Sequence, residues 1–233
     1  MRLQSYTSRW DFMLQRCQGR RVLHLGCIGM TEEPLAVKVA AMRDGRAFHA
    51  RLREVTLQSV GIDYDSAAVD ELRRLGFDEI VYGDLHQLDE LGLQGPFDVI
   101  LAGDLIEHLN NPGIVLRQLL HLVSETTSLV MSTPNSFGLP HFIRYARGQA
   151  VDGNDHVLSF NIFTLRNLLS RHGFEITESY SCYDRPAYNW RDRLRLTLGT
   201  PLLRLFPDFG GTLLIVARRI ATDSQSVGFG LAP

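Results

Sequence analysis

Two short apolar runs with punctuated ends constrain this chain most: Arg21-Val22-Leu23-His24-Leu25 running into Gly26-Cys27-Ile28-Gly29-Met30, and Val60-Gly61-Ile62 closing on Asp63. Runs of this length, bounded by turn residues, suit strands buried on both faces of a parallel sheet. A glycine turn after such a strand lets backbone N–H groups approach a ligand. A carboxylate ending the next strand can accept from both hydroxyls of a ribose. Together the two stretches point to a nucleoside-type cofactor. The turn lacks the three-glycine spacing of a dinucleotide fingerprint, which disfavours a nicotinamide-dependent oxidoreductase.

The same grammar repeats downstream. Further strands are predicted over 55–62, 79–82, 97–102, 127–132, 174–181 and 212–217. Between them lie helical patterns over 34–54 with a break suggested at Gly45, over 66–75 with Asp65 or Ser66 as cap and Gly76 as stop, from about 105, over 114–123, and over 164–172. An amphipathic stretch with Trp10, Phe12, Met13 and Leu14 makes residues 1–20 a leading helical segment. Strand–helix alternation of this kind gives a doubly wound, mostly parallel sheet with right-handed crossovers, in which ligands collect at the carboxyl ends of the strands. Those ends are Gly26, Asp63, Asp84, Gly103-Asp104 and Thr133-Pro134-Asn135.

At 233 residues and 45% hydrophobic content the chain can bury one sizeable core. No run approaches the ~20 apolar residues of a membrane span, and residues 1–5 lead into no apolar signal region, so a soluble cytoplasmic protein is expected. A net charge of −2, with Lys38 the only lysine, leaves no basic stripe for nucleic acid. Cys17, Cys27 and Cys182 form no CxxC pair, and no His, Asp and Glu spacing suggests a metal, so neither a disulfide framework nor a metal centre is expected. No feature selects an oligomeric state.

Three stretches stand apart from the alternation. Residues 136–163 read as a loop-like excursion long enough to serve an active site. Residues 185–210, with Arg191, Arg193 and Arg195 among leucines, read as a helical insertion, and any membrane contact would run through 185–206. Residues 219–233 read as a disordered tail.

With these motifs in order, the chain resembles the class I S-adenosylmethionine-dependent methyltransferases. Val22 to Cys27 is similar to the family's first motif and Val60-Gly61-Ile62-Asp63 to its second. Val81 to Leu85 resembles the adenine-side motif, Phe97-Asp98-Val99-Ile100 through Glu107-His108-Leu109 the fourth-strand motif, and Val130 to Asn135 the fifth. The resemblance covers about 20–218, which makes 21–218 the methyltransferase domain. Within the family, the Val22-to-Cys27 start, Asp155-His156 and Leu168 to Phe174 look most like bacterial and archaeal members that modify sugars of surface polysaccharides. The chain departs from the pattern where His24 stands for an acid, and Ile28 and Met30 for glycines.

The resemblance implies a seven-stranded sheet with an antiparallel last strand, and S-adenosylmethionine as cofactor. Asp63 would accept from the ribose hydroxyls with Tyr64 beside the adenine, and Asp84 from the adenine amino group with Leu85 behind it. Gly26 and Cys27 would give backbone approach, and Ala102 and Gly103 would line the methionine end. Methyl transfer to a hydroxyl needs positioning and a base. His156, His108 and Asp104 are the candidates, and Asn135 would orient a substrate hydroxyl. His24 reads as a hydrogen-bonded core residue, and His49, His86, His121 and His172 as surface or helix-end residues. The acceptor class is a sugar, glycan or other small polar molecule. A non-catalytic scaffold on the same fold is the alternative that His24, Ile28 and Met30 raise.

Overall fold

A computed structural model describes residues 3–6, 8–29, 32–149, 155–182 and 205–221. The chain opens with β1 (Gln4–Ser5) and α1 (Arg9–Cys17), whose cap Ser8 accepts from the Asp11 N–H. β2 (Arg21–Leu25) leads to α2 (Leu35–Arg43) and α3 (Phe48–Val55), separated at Gly45, where φ is +68°. β3 (Gln58–Asp63), α4 (Ser66–Arg74) and β4 (Ile80–Tyr82) follow, α4 capped by the Asp65 side chain on the Ala68 N–H. Then come β5 (Val99–Gly103), α5 (Pro112–Leu119) capped by Asn111, β6 (Ser128–Pro134) and α6 (Leu139–Ala146). α7 (Ile162–Arg171) starts in a reciprocal Asn161–Thr164 capping box, and β7 (Phe174–Cys182) and β8 (Thr212–Arg219) complete the described chain.

The strands form one sheet in the order β1-β7-β8-β6-β5-β2-β3-β4. Every pairing is parallel except those of β8 with β6 and β7. The chain winds outward from β2 through β3 to β4, then returns to place β5 on the other side of β2. That reversal is a topological switch point, and it sets the carboxyl ends of β2 and β5 side by side, with Leu25 opposite Ala102.

Side-chain alternation builds the core on both faces. Leu23, Leu25, Ile100, Ala102, Leu129 and Met131 point to the face covered by α5 and α7. Val22, Val99, Leu101 and Val130 point to the other, against Phe12, Met13 and Cys17 of α1 and Leu52 of α3. Each such side chain contributes about 1.5–3 kcal/mol by leaving water, enough to hold the strand ends in fixed register.

The structure differs from the sequence expectations in four places. β1 adds an eighth strand, pairing Gln4 with Tyr180 and Ser5 with Ser181, and two polar-flanked residues carry no period to read. The helix expected from about 105 is a three-residue 3-10 turn, Ile106–His108. Residues 139–146 are helical where a loop was expected: Pro140 sits in the first turn, and Leu139, Phe142, Ile143 and Ala146 fall at helical spacing, a short stripe masked in sequence by the Gly, Pro and Asn residues before it and left without a fully buried side chain. His49, expected at the surface or a helix end, stands in the first turn of α3 and is completely buried beside His24. Met30, residues 150–154, most of the 185–210 insertion and residues 222–233 of the tail lie outside the described residues. Among the described residues no helix is long and apolar enough to cross a membrane.

Candidate active site

On one side of the switch point, the chain leaves β2 through Gly26 at φ +65°, where a Cβ would stand 3.0 Å from the Leu105 side chain. Cys27 then turns inward and donates its N–H to Ile62 O at 3.1 Å. Burial, reinforced by the nearby Asp63 carboxylate, pushes the Cys27 thiol well above its ordinary range, so it stays a neutral small side chain. Gly61 lets this turn lie flat on β3, because a Cβ there would sit 2.7 Å from Cys27 Sγ and 3.0 Å from His49 Cε1.

Asp63, at the end of β3, is buried against that turn. Its Oδ2 accepts from the Ile28 N–H at 2.9 Å and its Oδ1 from the Asp65 N–H at 3.1 Å. Burial raises its pKa, and the N–H groups of Ile28, Asp65 and Gly29 oppose the rise. Tyr64 next to it is largely exposed. Asp84, after β4, accepts from the His86 N–H at 2.8 Å and faces His86 Nδ1 at 2.9 Å, which hold its carboxyl below the usual range. The Asp84 side chain is 59% exposed, and Leu85 behind it is buried. Where the family pattern has an acid, His24 stacks on His49 with Nδ1 to Nδ1 at 3.0 Å. Burial, with His49 beside it, lowers the His24 pKa well below its ordinary value, so one ring donates and the other accepts.

Across the switch point the side chains are wired differently. Ala102 is buried, and at Gly103 a Cβ would meet Met13 Cε at 3.2 Å. Asp104 takes a left-handed φ of +45°. Its N–H donates to Ser132 O at 3.0 Å, its Oδ1 accepts from Ser132 Oγ at 2.6 Å, and its Oδ2 pairs with Arg9. Ser132 and Arg9 thus engage both carboxylate oxygens. Asn135 is equally engaged: its amide donates to Asp208 O at 3.0 Å and Gly210 O at 2.8 Å, and its Oδ1 takes the Phe137 N–H at 3.3 Å. It holds the end of β6 to the 207–209 turn and has no N–H left for a substrate hydroxyl.

The two histidine candidates do meet. His108 and His156 pack edge to face with ring centroids 4.7 Å apart. His108 Nδ1 lies 3.2 Å from Asp155 Oδ2. The N–H groups of Val157 and Leu158 donate to Glu107 O at 3.0 and 3.1 Å, which folds the 155–158 segment onto the end of β5.

Between these groups stands Glu107, which sequence reasoning quoted only as part of a motif. It is 1% exposed, and Oε2 accepts from Thr133 Oγ1 at 3.0 Å. Oε1 is buried without a hydrogen-bond partner among the described residues. Burial pushes the carboxyl up to about 7, against the nearby Arg9 charge. The signal that marks it is an acid beside His108 just past a strand end.

The family profile described as "Methyltransferase domain" matches residues 14–179. The chain belongs to this methyltransferase domain family. No curated protein matches it by sequence. Solved structures share the fold of the methyltransferase domain. An S-adenosylmethionine-dependent methyltransferase from Mesorhizobium loti superposes with a TM-score of 0.56 at 19% identity, over 90% of this chain and 95% of that one. The magnesium protoporphyrin IX methyltransferase of Synechocystis PCC 6803, with S-adenosylhomocysteine bound, gives 0.53 at 15% identity over 90% and 81%. The [4+2]-cyclase SpnF gives 0.55 at 18% over 91% and 80%. The fold thus serves more than one chemistry, and the reaction has to be argued from the site.

Proposed function

We propose that the chain is an S-adenosylmethionine-dependent O-methyltransferase acting on a hydroxyl of a sugar, glycan or other small polar acceptor. The observation that carries this reading is the pairing, across one switch point, of a buried carboxylate against a glycine turn with a cluster of buried Glu107 and half-buried His108 and His156. The first half fits the cofactor: the glycine turn is free of side chains at Gly26 and Gly29, with open space where a Gly29 Cβ would stand, and Asp84 presents an exposed carboxylate one strand away. When bound, S-adenosylmethionine supplies a methyl group already activated on sulfur.

The chain's own residues hold and orient. Asp63 retains lone pairs beyond its backbone bonds for the ribose hydroxyls, with Tyr64 beside the base and Asp84 at the amino group. Gly26, Cys27, Ala102 and Gly103 keep the methionine end free of bulk. His156, with His108 beside it, binds the acceptor hydroxyl and receives its proton, and alignment of acceptor and donor supplies the larger share of the rate.

The test is a calorimetric titration of wild type and Asp63→Ala with S-adenosylmethionine and S-adenosylhomocysteine, followed by methyl-transfer assays on hydroxylated sugars. Binding by the wild type that Asp63→Ala abolishes supports the reading. A wild type that binds neither would favour a scaffold, the reading that the buried His24–His49 pair in place of an acid recommends.

A further inference from the structure

We infer that Glu107, His108 and His156 form a divalent-cation site, and that the acceptor is held through oxygen atoms on that cation. The role in acceptor binding rests on the methyltransferase reading; the cation site itself does not. One ligand atom from each of the three residues lies within 4.8 Å of the others. Ligands on a single ion with bonds of about 2.1 Å stand roughly 3.4 Å apart, so side-chain rotation closes the site without moving the backbone.

Each ligand is prepared for the task. Glu107 spends Oε2 on Thr133 and keeps Oε1 buried and unbonded among the described residues, which is costly for a carboxylate unless something positive meets it. His108 hydrogen-bonds through Nδ1 to the Asp155 carbonyl at 3.2 Å with Asp155 Oδ2 at the same distance, an outer-shell pair that fixes a ligating imidazole with its other nitrogen turned to the metal. His156 is brought to the cluster by the Val157 and Leu158 bonds to Glu107 O, so all three ligands ride on one hydrogen-bonded unit. Arg9, the nearest cation on α1, is ion-paired with Asp104.

Two imidazoles and one carboxylate select a borderline first-row ion such as Zn²⁺, Co²⁺ or Fe²⁺ over Mg²⁺ or Ca²⁺. Three protein ligands also leave positions open for oxygen donors, which suits an acceptor with one or two hydroxyls; with the cation bound, His156 is a ligand and no longer the proton acceptor, and the cation itself would lower the pKa of the hydroxyl it holds. A sequence search by spacing misses this site, because His156 is separated from the other two ligands by a strand, two helices and a loop.

The experiment is a titration of chelator-treated full-length protein with Co²⁺, followed by its visible d–d absorption and by calorimetry with Zn²⁺. Wild type is expected to bind one equivalent. His156→Ala and Glu107→Gln, the latter keeping the Thr133 bond, are expected to weaken binding by at least tenfold. Asp155→Asn should weaken it about 10- to 100-fold as an outer-shell loss, and the exposed His121→Ala should change nothing. Absence of a stoichiometric Co²⁺ spectrum in wild type, or an unchanged spectrum in His156→Ala, overturns the site. S-Adenosylmethionine titration of the same samples separates the two readings: cofactor binding without Co²⁺ binding sinks the cation site alone, and Co²⁺ binding without cofactor binding sinks the methyltransferase reading alone.

Discussion

The two sides of the switch point solve the burial of charge in different ways. On the cofactor side, Asp63 and Asp84 are satisfied by backbone N–H groups of the turns they adjoin, Asp65 and His86 two residues on and Ile28 of the glycine loop. On the acceptor side, Asp104 is met by side chains far away in the chain, Arg9 and Ser132, and Glu107 takes Thr133 on Oε2 while its Oε1 has no hydrogen-bond partner among the described residues. Backbone donors are present whatever the sequence, so the first arrangement needs only glycines and one acid at the right turn. Side-chain partners must each be specified, so the second is where one fold diverges in chemistry. On the proposed reading, the difference makes cofactor binding a property of the turn and acceptor choice a property of assembled side chains.

The largest expected effect tests that separation directly. His156→Ala should lower turnover by ~10²–10⁴-fold while leaving the dissociation constant for S-adenosylmethionine within twofold, because no cofactor-side residue depends on it. Steady-state kinetics beside calorimetry check it, and an equal loss in both would mean that the two sides are one site. Asp63→Ala should do the reverse. Each hydrogen bond to a charged acceptor is worth roughly 1.5–3 kcal/mol, so loss of two ribose bonds should weaken cofactor binding by at least ~100-fold. Acceptor affinity, measured by product inhibition, should move little.

Gly61→Ala probes the packing under the turn instead of its chemistry. The new Cβ would lie 2.7 Å from Cys27 Sγ and 3.0 Å from both Cys27 Cβ and His49 Cε1, with the buried His24–His49 pair behind. Overpacking of this kind costs ~1–3 kcal/mol. At about 2–4 °C per kcal/mol for a chain of this size, the melting temperature should fall by roughly 2–12 °C. The pair Gly61→Ala/Cys27→Ala should recover part of the loss in the same thermal melt.

What could be read in the sequence follows the same division. Strands β2 to β8 were legible because they fall as apolar or alternating runs between turn residues, and the positions Gly26, Asp63 and Asp84 because they close strands. β1 was not, since two residues carry no period, and α6 was not, since its short apolar stripe lies among Gly, Pro and Asn residues that read as loop. His49 defeated the reading because its burial is set by a partner 25 residues earlier, and Glu107 because its burial is set by Thr133 and the 155–158 segment. Asn135 and Asp104 illustrate the converse error: a polar residue at a strand end looks free in sequence, and Asp208, Gly210, Ser132 and Arg9 occupy these two in space. Local pattern identifies positions, and only tertiary contact says which of them are already taken.

The smallest effect sharpens how the cofactor side is braced. Lys38, the chain's only lysine, is buried on α2 and donates to Asp65 Oδ2 at 2.7 Å, joining α2 to the cap of α4. The Lys38 ammonium and the Ala68 N–H hold the Asp65 carboxyl below its ordinary value of 3.8. A carboxylate with a depressed folded-state pKa contributes stability that is fully present above the unfolded value and is lost as pH falls through the folded value. The contribution is therefore intact at neutral pH and disappears as the pH drops from about 5 to below 3.8. The Asp65 side chain is 25% exposed, so solvent screening keeps the pair to about 0.2–1 kcal/mol. Lys38→Met should flatten the acid limb of stability against pH by that amount, measured by urea unfolding between about pH 3 and 7. Any packing gain from the methionine is independent of pH and shifts the whole curve without changing its slope. An identical slope in wild type and variant would show that the Ala68 N–H alone holds Asp65, and that this side of the molecule is braced by backbone donors throughout.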